Sequence, residues 1–170
     1  MVKDNKDKIE SFVGDIFTTQ YCFKWSGHKK RPFELKTENE ARTCHEKREW
    51  YTAVLGGENP YCAIELRKDF ISVTFFDHEI RPYLVYHFYE IKPDILFLKT
   101  AILREYEGQN DKILKATMYE FQESGDVKTS IGDYLKNTDD IINTQVDVKN
   151  NYDRWPSFKD YKSIMKKERD

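Results

Sequence analysis

The chain has 170 residues, of which 34% are charged and 39% are hydrophobic, and its mean hydropathy is −0.80. Its 28 basic and 30 acidic side chains leave a net charge of −2, which excludes a global field that would attract nucleic acid or an anionic membrane. Aromatic residues make up 15% of the chain, and their rings supply enough apolar surface for a core, which excludes a disordered chain. The length is that of one domain, and we expect residues 1–170 to form a single one.

The cysteines and the N-terminus predict where the protein resides. Cys22, Cys44 and Cys62 are an odd number without C-x-x-C spacing, which argues against a disulfide framework and a zinc site. The first residues lack the apolar core of a signal peptide, and every apolar run is far shorter than the ~20 residues that cross a bilayer. We therefore expect a soluble cytoplasmic protein that needs no metal, cofactor or membrane.

The first third of the chain predicts one helix and one short strand. Residues 4–17 carry apolar side chains at helical spacing, namely Ile9, Phe12, Val13, Ile16 and Phe17. A short strand follows, in which Tyr21, Phe23 and Trp25 alternate with other residues. The charged stretch 26–48 is ambiguous, and Glu38–Arg48 fits either a helical turn or a long loop.

From Glu49 onward the apolar pattern has a period of two, which is typical of half-buried strands. The predicted strands are Glu49–Leu55, Tyr61–Leu66, Phe70–Phe76, Tyr83–Ile91, Ile95–Tyr106, Lys112–Gln122, Val127–Leu135 and Ile141–Val148. The turns between them are too short for parallel crossovers, so the strands of this meander, residues 49–148, pair antiparallel with their sequence neighbours. Behind Pro156, the helical spacing of Phe158, Tyr161 and Ile164 predicts a C-terminal helix over 157–167.

These elements predict a mainly β (α+β) fold. We expect an antiparallel up-and-down meander of about eight strands that forms a strongly curved sheet or a lipocalin-like barrel. Setting the register through the turns places His87 on the inner apolar face, between Ile71 and Leu98. The same register places Tyr86 and Phe88 on the outer face.

The inner face supplies the candidate ligand-binding residues. They are His87, Tyr89, Thr100, Thr117 and Tyr119 on the wall, with Arg104 and Lys115 beside Asp133 at the mouth. His87 either contacts a ligand, for which a tuned imidazole pKa is suited, or is a neutral core histidine paired by a neighbour. Arg104 and Lys115 could hold a carboxylate or phosphate, or form a salt bridge at the rim.

No motif in the chain specifies a reaction. The segment Cys44-His45-Glu46 lacks the second histidine of a zinc-binding helix, and Gly56-Gly57 is not followed by the Lys-Ser or Lys-Thr of a phosphate loop. There is no Gly-x-Ser-x-Gly segment. We therefore predict no catalytic residues and no enzyme; a catalytic His87 is the least favoured hypothesis.

Three stretches resemble small bacterial proteins that serve as immunity partners of secreted toxins. They are Tyr51–Leu66, Tyr83–Ile91 and Leu96–Tyr106, and the likeness extends over residues 51–168 in overall character rather than in a motif. The resemblance implies a non-catalytic protein that blocks a cognate toxin by occlusion. The aromatic side chains Trp50, Tyr51, Tyr86 and Phe88 are the candidate partner-binding residues, because aromatics are common interface anchors.

The alternative hypothesis is a small-molecule carrier whose barrel holds an apolar or weakly anionic ligand. The oligomeric state is open.

Overall fold

The computed structural model describes residues 18–169, which form one 11-stranded antiparallel sheet with one α-helix. The predicted helix over 4–17 lies outside the described residues. The strands are β1 (Thr19–Ser26), β2 (Arg31–Lys36), β3 (Tyr51–Leu55), β4 (Cys62–Arg67), β5 (Phe70–Phe76), β6 (Pro82–Lys92), β7 (Ile95–Tyr106), β8 (Ile113–Phe121), β9 (Asp126–Asp133), β10 (Thr138–Gln145) and β11 (Tyr152–Arg154). The helix α1 spans Glu38–Glu46, and a single 3₁₀ turn spans Lys149–Asn151.

The sheet is open rather than closed into a barrel. Its strand order is β10-β9-β8-β7-β6-β5-β4-β3-β1-β2, so β10 and β2 lie at opposite edges, and β11 pairs with the start of β7. The predicted lipocalin-like barrel is therefore wrong. The sheet buries one face beneath a separate layer of chain instead of wrapping that face around itself.

The period-two pattern predicted the central strands well. All eight predicted strands of the meander are present, with bounds that differ by at most a few residues. The count of about eight is too low because the structure adds β1, β2 and β11, of which only β1 was predicted. β2 is a mostly exposed edge strand and β11 has only three residues, so neither has an alternating apolar pattern.

The charged stretch before β3 forms the helix α1. The Thr37 hydroxyl accepts a hydrogen bond from the Glu40 N–H, and the Glu40 carboxylate accepts one from the Thr37 N–H, which makes a capping box. Ala41 and Cys44 are its buried residues, so the helix packs on the sheet along a narrow stripe.

The predicted C-terminal helix over 157–167 is wrong, although its apolar residues do reach the core. The segment forms separate turns, and Lys159 has a φ of +72°, a left-handed conformation that ends a helix. Tyr161 and Ile164 are nevertheless 3% and 0% exposed, because the turns direct both side chains onto the sheet. The C-terminal segment and α1 together cover one face of the sheet.

This covered face, which we call the core face, holds most of the buried side chains. Its strand residues are Tyr21, Tyr51, Ala53, Leu55, Cys62, Ile64, Leu66, Ile71, Val73, Phe75, Tyr86, Phe88, Leu96, Leu98 and Ala101, which cluster with Ala41, Cys44, Tyr161 and Ile164 from the covering layer. The opposite side, the second face, has a smaller buried cluster of Cys22, Val54, Ala63 and Phe76, against which Trp25 and Ile80 pack. Phe97 is also buried on this face, beside Tyr152.

The predicted register is wrong at the β5–β6 connection by one residue, which exchanges the two faces of β6. His87 lies opposite Ser72, and Phe88 lies opposite Ile71, so His87 is on the second face while Tyr86 and Phe88 are on the core face. The cause is an irregular connection: the pairing shifts between Phe75 and Phe76. Because side chains alternate between faces, a shift of one residue moves every side chain of the strand.

A buried arginine holds this connection in place. Arg81 is 6% exposed, its Nη2 lies 2.7 Å from Asp77 Oδ2, and its Nη1 donates to the Gly108 carbonyl at 2.9 Å. The β5–β6 connection is thereby tied to the loop after β7, which fixes where β6 begins.

The face exchange predicts different effects for two adjacent substitutions. Phe88→Ala should lower the free energy of unfolding by about 3–5 kcal/mol, because it opens a cavity in the core. Tyr89→Ala should cost less than about 1 kcal/mol, because that ring is 41% exposed on the second face. Urea unfolding at pH 7.5 measures both values. A larger cost at Tyr89 than at Phe88 would contradict the assigned faces.

Candidate functional site

The predicted ligand-binding residues do not line one cavity. His87, Tyr89, Thr100 and Arg104 lie on the second face, where His87 pairs with Thr100. Lys115, Thr117 and Tyr119 lie on the core-face side of β8, since Tyr119 pairs with Ala101 and Thr117 with Leu103. The prediction of a common inner wall is therefore wrong. The one-residue shift at the start of β6 moves His87 and Tyr89, and a second irregularity, where the β6–β7 pairing shifts between His87 and Phe88, moves Thr100 and Arg104.

The two cations that were predicted to lie together at the mouth of the barrel are also separated. Lys115 and Asp133 are direct cross-strand neighbours, but Arg104 lies opposite Ala116 and donates to the Pro82 carbonyl at 3.3 Å. The Lys115 ammonium lies 4.0 Å from Glu105. Arg104 and Lys115 therefore point to different sides of the sheet and cannot hold one anion together.

Three of the four predicted partner-binding aromatics are buried. Tyr51, Tyr86 and Phe88 are 0%, 6% and 0% exposed, so their rings present almost no surface to a partner. They face the core because the true register of β6 differs from the predicted one by one residue, and because Tyr51 lies opposite the buried Leu66. Trp50 alone lies on the second face.

On the second face, Trp50 belongs to a row of rings and cations that crosses the sheet from β1 to β7. The row, which we call the aromatic row, consists of Phe23, Trp50, Arg67, Phe70, His87, Tyr89 and Lys99. Phe23 and Trp50 have ring centroids 4.4 Å apart, and the Arg67 guanidinium lies 4.2 Å from the Trp50 centroid. Each member contacts at least one other member, and Phe70 contacts both His87 and Tyr89, so the row is continuous.

The second half of the row spans β5, β6 and β7. The Phe70 centroid lies 5.1 Å from that of Tyr89 and 5.4 Å from that of His87, and the Lys99 ammonium lies 5.4 Å from the Tyr89 centroid. Cross-strand ring pairs of this kind stabilise a sheet. The row is therefore held in a fixed arrangement at the protein surface.

Only some of the charged side chains on the second face form ion pairs. Arg67 forms an ion pair with Glu65, and Lys128 with Glu120. Lys99 and Arg104 form no ion pair with any carboxylate of residues 18–169. The part of this face around β6 and β7 therefore has an excess of positive charge although the whole chain has a net charge of −2.

The protonation of His87 reflects this environment. Burial lowers the pKa of His87 below its ordinary value of 6.5, and the positive charges of Arg104 and Arg67 lower that pKa further. The imidazole is thus neutral at pH 7 and serves as a ring in the aromatic row. No carboxylate contributes to the shift of its pKa.

A second group of polar side chains lies on the core face, beneath the C-terminal segment. His45 Nδ1 lies 2.8 Å from the Tyr51 hydroxyl, which lies 3.1 Å from the Tyr161 hydroxyl. The Pro156 carbonyl accepts a hydrogen bond from the same imidazole. A neutral His45 whose proton points to Pro156 can therefore accept at Nδ1 from Tyr51.

Tyr21 lies beside this group without taking part in it. Its side chain is 5% exposed, and its buried hydroxyl has no hydrogen-bond partner among residues 18–169. Burial raises the pKa of Tyr21, so the hydroxyl remains a proton donor at any physiological pH. An unpaired buried hydroxyl costs about 1–3 kcal/mol.

Tyr21 lines a pocket of about 600 Å³ between the sheet and the C-terminal segment. Leu55, Tyr61 and Met165 contribute apolar surface to this pocket, and Lys162 contributes an ammonium group. Sequence reasoning missed this site because its parts are far apart in the chain: Tyr21 belongs to β1, Leu55 to β3 and Tyr161 to the C-terminal segment.

All three cysteines are buried, and two of them are poor nucleophiles. Burial raises the pKa of the Cys22 thiol to about 11, and burial also raises that of Cys62. Within residues 18–169 no group of three His, Cys, Asp or Glu side chains is placed to hold a metal ion. No helix in the same part of the chain is long and apolar enough to cross a membrane.

No protein-family model, curated protein or solved structure matches the chain.

The two partly buried imidazoles predict a pH dependence of stability. Burial lowers the pKa of His45 as it lowers that of His87, so the unfolded chain binds protons that the folded chain does not. This contribution to stability is present above the unfolded value of about 6.5 and is lost as the pH falls through that value toward the folded pKa. The free energy of unfolding should therefore decrease between pH 7.5 and pH 5.5.

The double variant His45→Gln/His87→Gln isolates this effect, because glutamine does not titrate. Its urea-unfolding free energy should change less than that of the wild type over the same interval. An equally steep decrease in the variant would show that other groups cause the pH dependence.

Proposed function

We propose that the protein is a non-catalytic protein-binding module whose partner docks on the aromatic row of the second face. The observation that carries the proposal is a set of partly exposed rings and cations on the face that α1 and the C-terminal segment leave uncovered. Trp, Tyr and Arg are the residue types most enriched at the energetic centres of interfaces, and the row contains all three.

The fixed arrangement of the row favours binding. Trp50, Phe70 and Tyr89 already contact one another through Arg67 or directly, so few rotamers need to be immobilised when a partner arrives.

The unpaired cations indicate the chemistry of the partner. Lys99 and Arg104 would attract a surface rich in aspartate and glutamate, and such complementarity mainly raises the association rate. The resemblance to immunity proteins suggests a cognate toxin, blocked by occlusion. The charge of this face suits a toxin with an acidic binding surface rather than a basic nuclease.

The test is a binding experiment with the protein encoded next to this one. Wild-type chain should form a stoichiometric complex with it, observed by size-exclusion chromatography and measured by calorimetry. Trp50→Ser and Tyr89→Ser should each weaken the complex by about 30-fold or more, which corresponds to roughly 2 kcal/mol for an interface anchor. Lys99→Glu should slow association and reduce its dependence on salt.

Tyr134→Ser is the matched control, because Tyr134 is 62% exposed but belongs to neither the aromatic row nor the pocket. It should leave the affinity within about threefold of the wild type. Failure to form a complex would refute the proposal, as would equal loss of affinity in the control and in the row variants.

The pocket beside Tyr21 favours a second candidate function, the binding of a small molecule. The ligand would have an apolar body against Leu55, Tyr61 and Met165 and an anionic group near Lys162. Its acceptor atom would meet the Tyr21 hydroxyl, which is buried without ligand, once that side chain turns toward the pocket. Lys159, by contrast, is already paired with Glu38 at 2.7 Å. This is the apolar or weakly anionic ligand of the carrier hypothesis, at a site outside the predicted barrel.

Tyr21→Phe distinguishes a binding hydroxyl from a purely structural one. Without ligand, the variant should be more stable by about 1 kcal/mol, because an unpaired buried hydroxyl is removed. Anilinonaphthalene sulfonate, an apolar anion, should bind the wild type saturably, should bind Tyr21→Phe more weakly, and should not bind Met165→Trp. Val146→Trp serves as the control for the added ring. Absence of saturable binding to the wild type would refute this candidate.

A further inference from the structure

The edge strand β10 presents an exposed surface that neither proposed function uses. All eight of its residues are exposed. Ile141 and Ile142 are 63% and 47% exposed, and Val146, which directly follows the strand, is 45% exposed. Large aliphatic side chains on an unpaired edge favour pairing with another strand.

The backbone groups of β10 are divided between the two sides of the strand. The Val146 N–H donates to the Gly125 carbonyl at 2.9 Å, and these residues continue the register of β9 with β10. Because hydrogen-bonded positions alternate in an antiparallel pair, the backbone groups of Ile142 and Thr144 point to β9. Those of Asp139, Ile141, Asn143 and Gln145 point outward, and no described strand pairs with them.

The other edge of the sheet is protected in ways that β10 is not. β2 contains Pro32, which lacks an N–H, and Glu34, whose φ of +53° interrupts the regular strand. β10 contains no proline, no lysine and no residue with a positive φ. Of the two edges, β10 is the one with a regular ladder of free donors and acceptors.

The sequence of β10 is complementary to itself in one antiparallel register. In an antiparallel pair, a residue whose backbone groups point outward can face only a residue of the same kind. The allowed registers therefore differ by steps of two residues. When Ile142 faces Ile142 of the partner subunit, Asp140 faces Thr144 of the partner subunit, and Asp139 faces Gln145 of the partner subunit. No two like charges then oppose each other.

The neighbouring registers give less favourable pairs of facing side chains. Centring the pair on Ile141 places Ile142 against Asp140 of the partner subunit. Centring it on Asn143 places Asp139 against Asp147 of the partner subunit, and centring it on Asp140 places that carboxylate against its own copy. Like charges directly opposite are destabilising.

We propose that β10 pairs antiparallel with β10 of a second copy of this chain about a two-fold axis at Ile142. The pairing joins two sheets into one and forms about eight backbone hydrogen bonds from the outward-pointing residues. It also covers Ile141, Ile142 and Val146 of each copy. A single strand pair buries less area than a typical stable dimer, so dissociation occurs in the micromolar range.

Disulfide trapping tests the register. In this dimer the two copies of residue 142 form a non-hydrogen-bonded pair with Cα atoms about 4.5 Å apart, within the range that a disulfide spans. Ile142→Cys should therefore give a covalent dimer on oxidation with copper phenanthroline, seen on a non-reducing gel. Ile141→Cys is the matched control and should give far less, because residue 141 faces residue 143. The three native cysteines are buried and add little background.

Sedimentation of the full chain between about 1 and 500 µM tests the dimer itself. Asn143→Pro removes one outward-pointing N–H without removing a bond to β9, so its thermal transition should stay near that of the wild type while the dimer is lost. Asn143→Ala should keep the dimer. Three results would each overturn the proposal: a wild type that stays monomeric at the highest concentration, a covalent yield from Ile141→Cys equal to that from Ile142→Cys, or a dimer that persists in Asn143→Pro.

Discussion

The structure depends on how an open sheet covers one of its two faces. A closed barrel would bury its inner face without help, whereas this sheet uses a thin layer made of α1 and the C-terminal segment. α1 has nine residues and two buried side chains, so the C-terminal segment supplies most of the cover. Tyr161 and Ile164 are the residues through which that segment closes the core. The second face receives no comparable layer from the described residues, and for that reason rings and cations remain at its surface.

Arg48 shows how the covering layer is attached to the sheet. Its guanidinium lies 3.6 Å from the centroid of Trp155 and its Nη2 lies 2.6 Å from Asp94 Oδ1. Immediately before Trp155, β11 pairs with β7 over Ile95–Phe97, where β8 does not reach. The sheet therefore provides an edge position that directs the chain back across the core.

Strand positions were predictable from the sequence, whereas the faces were not. The alternation of apolar residues from Phe70 to Phe76 and from Ile95 to Tyr106 gives these two strands their observed bounds. The face of β6 depends on one extra residue near Phe76, and nothing in the local pattern reveals it, since β6 carries large apolar side chains on both faces. His87 was consequently placed on the wrong side. The edge strand β2 was missed because packing at an edge does not require alternation.

The candidate sites were less predictable than the fold, because they are built from residues that are distant in sequence. Trp50 was identified by residue type alone, and its contact with Arg67 follows from the pairing of β3 with β4. The hydrogen bond between Tyr51 and Tyr161 depends on a C-terminal segment whose path is set by β11 and by the left-handed Lys159. Charge composition also gave no indication of a positive region on one face, because carboxylates elsewhere on the surface balance it.

The position of Ile164 in the core has a consequence for how the protein is made. During synthesis the strands of the meander leave the ribosome first, and they can pair with one another as they emerge. The core face stays open to water until Tyr161 and Ile164 have also emerged, because these residues complete it. The nascent chain thus carries an apolar sheet face that α1 covers only in part until the C-terminal segment has emerged. Chaperones that bind apolar surfaces would meet this chain before it is finished, and a truncated translation product would expose the same surface permanently.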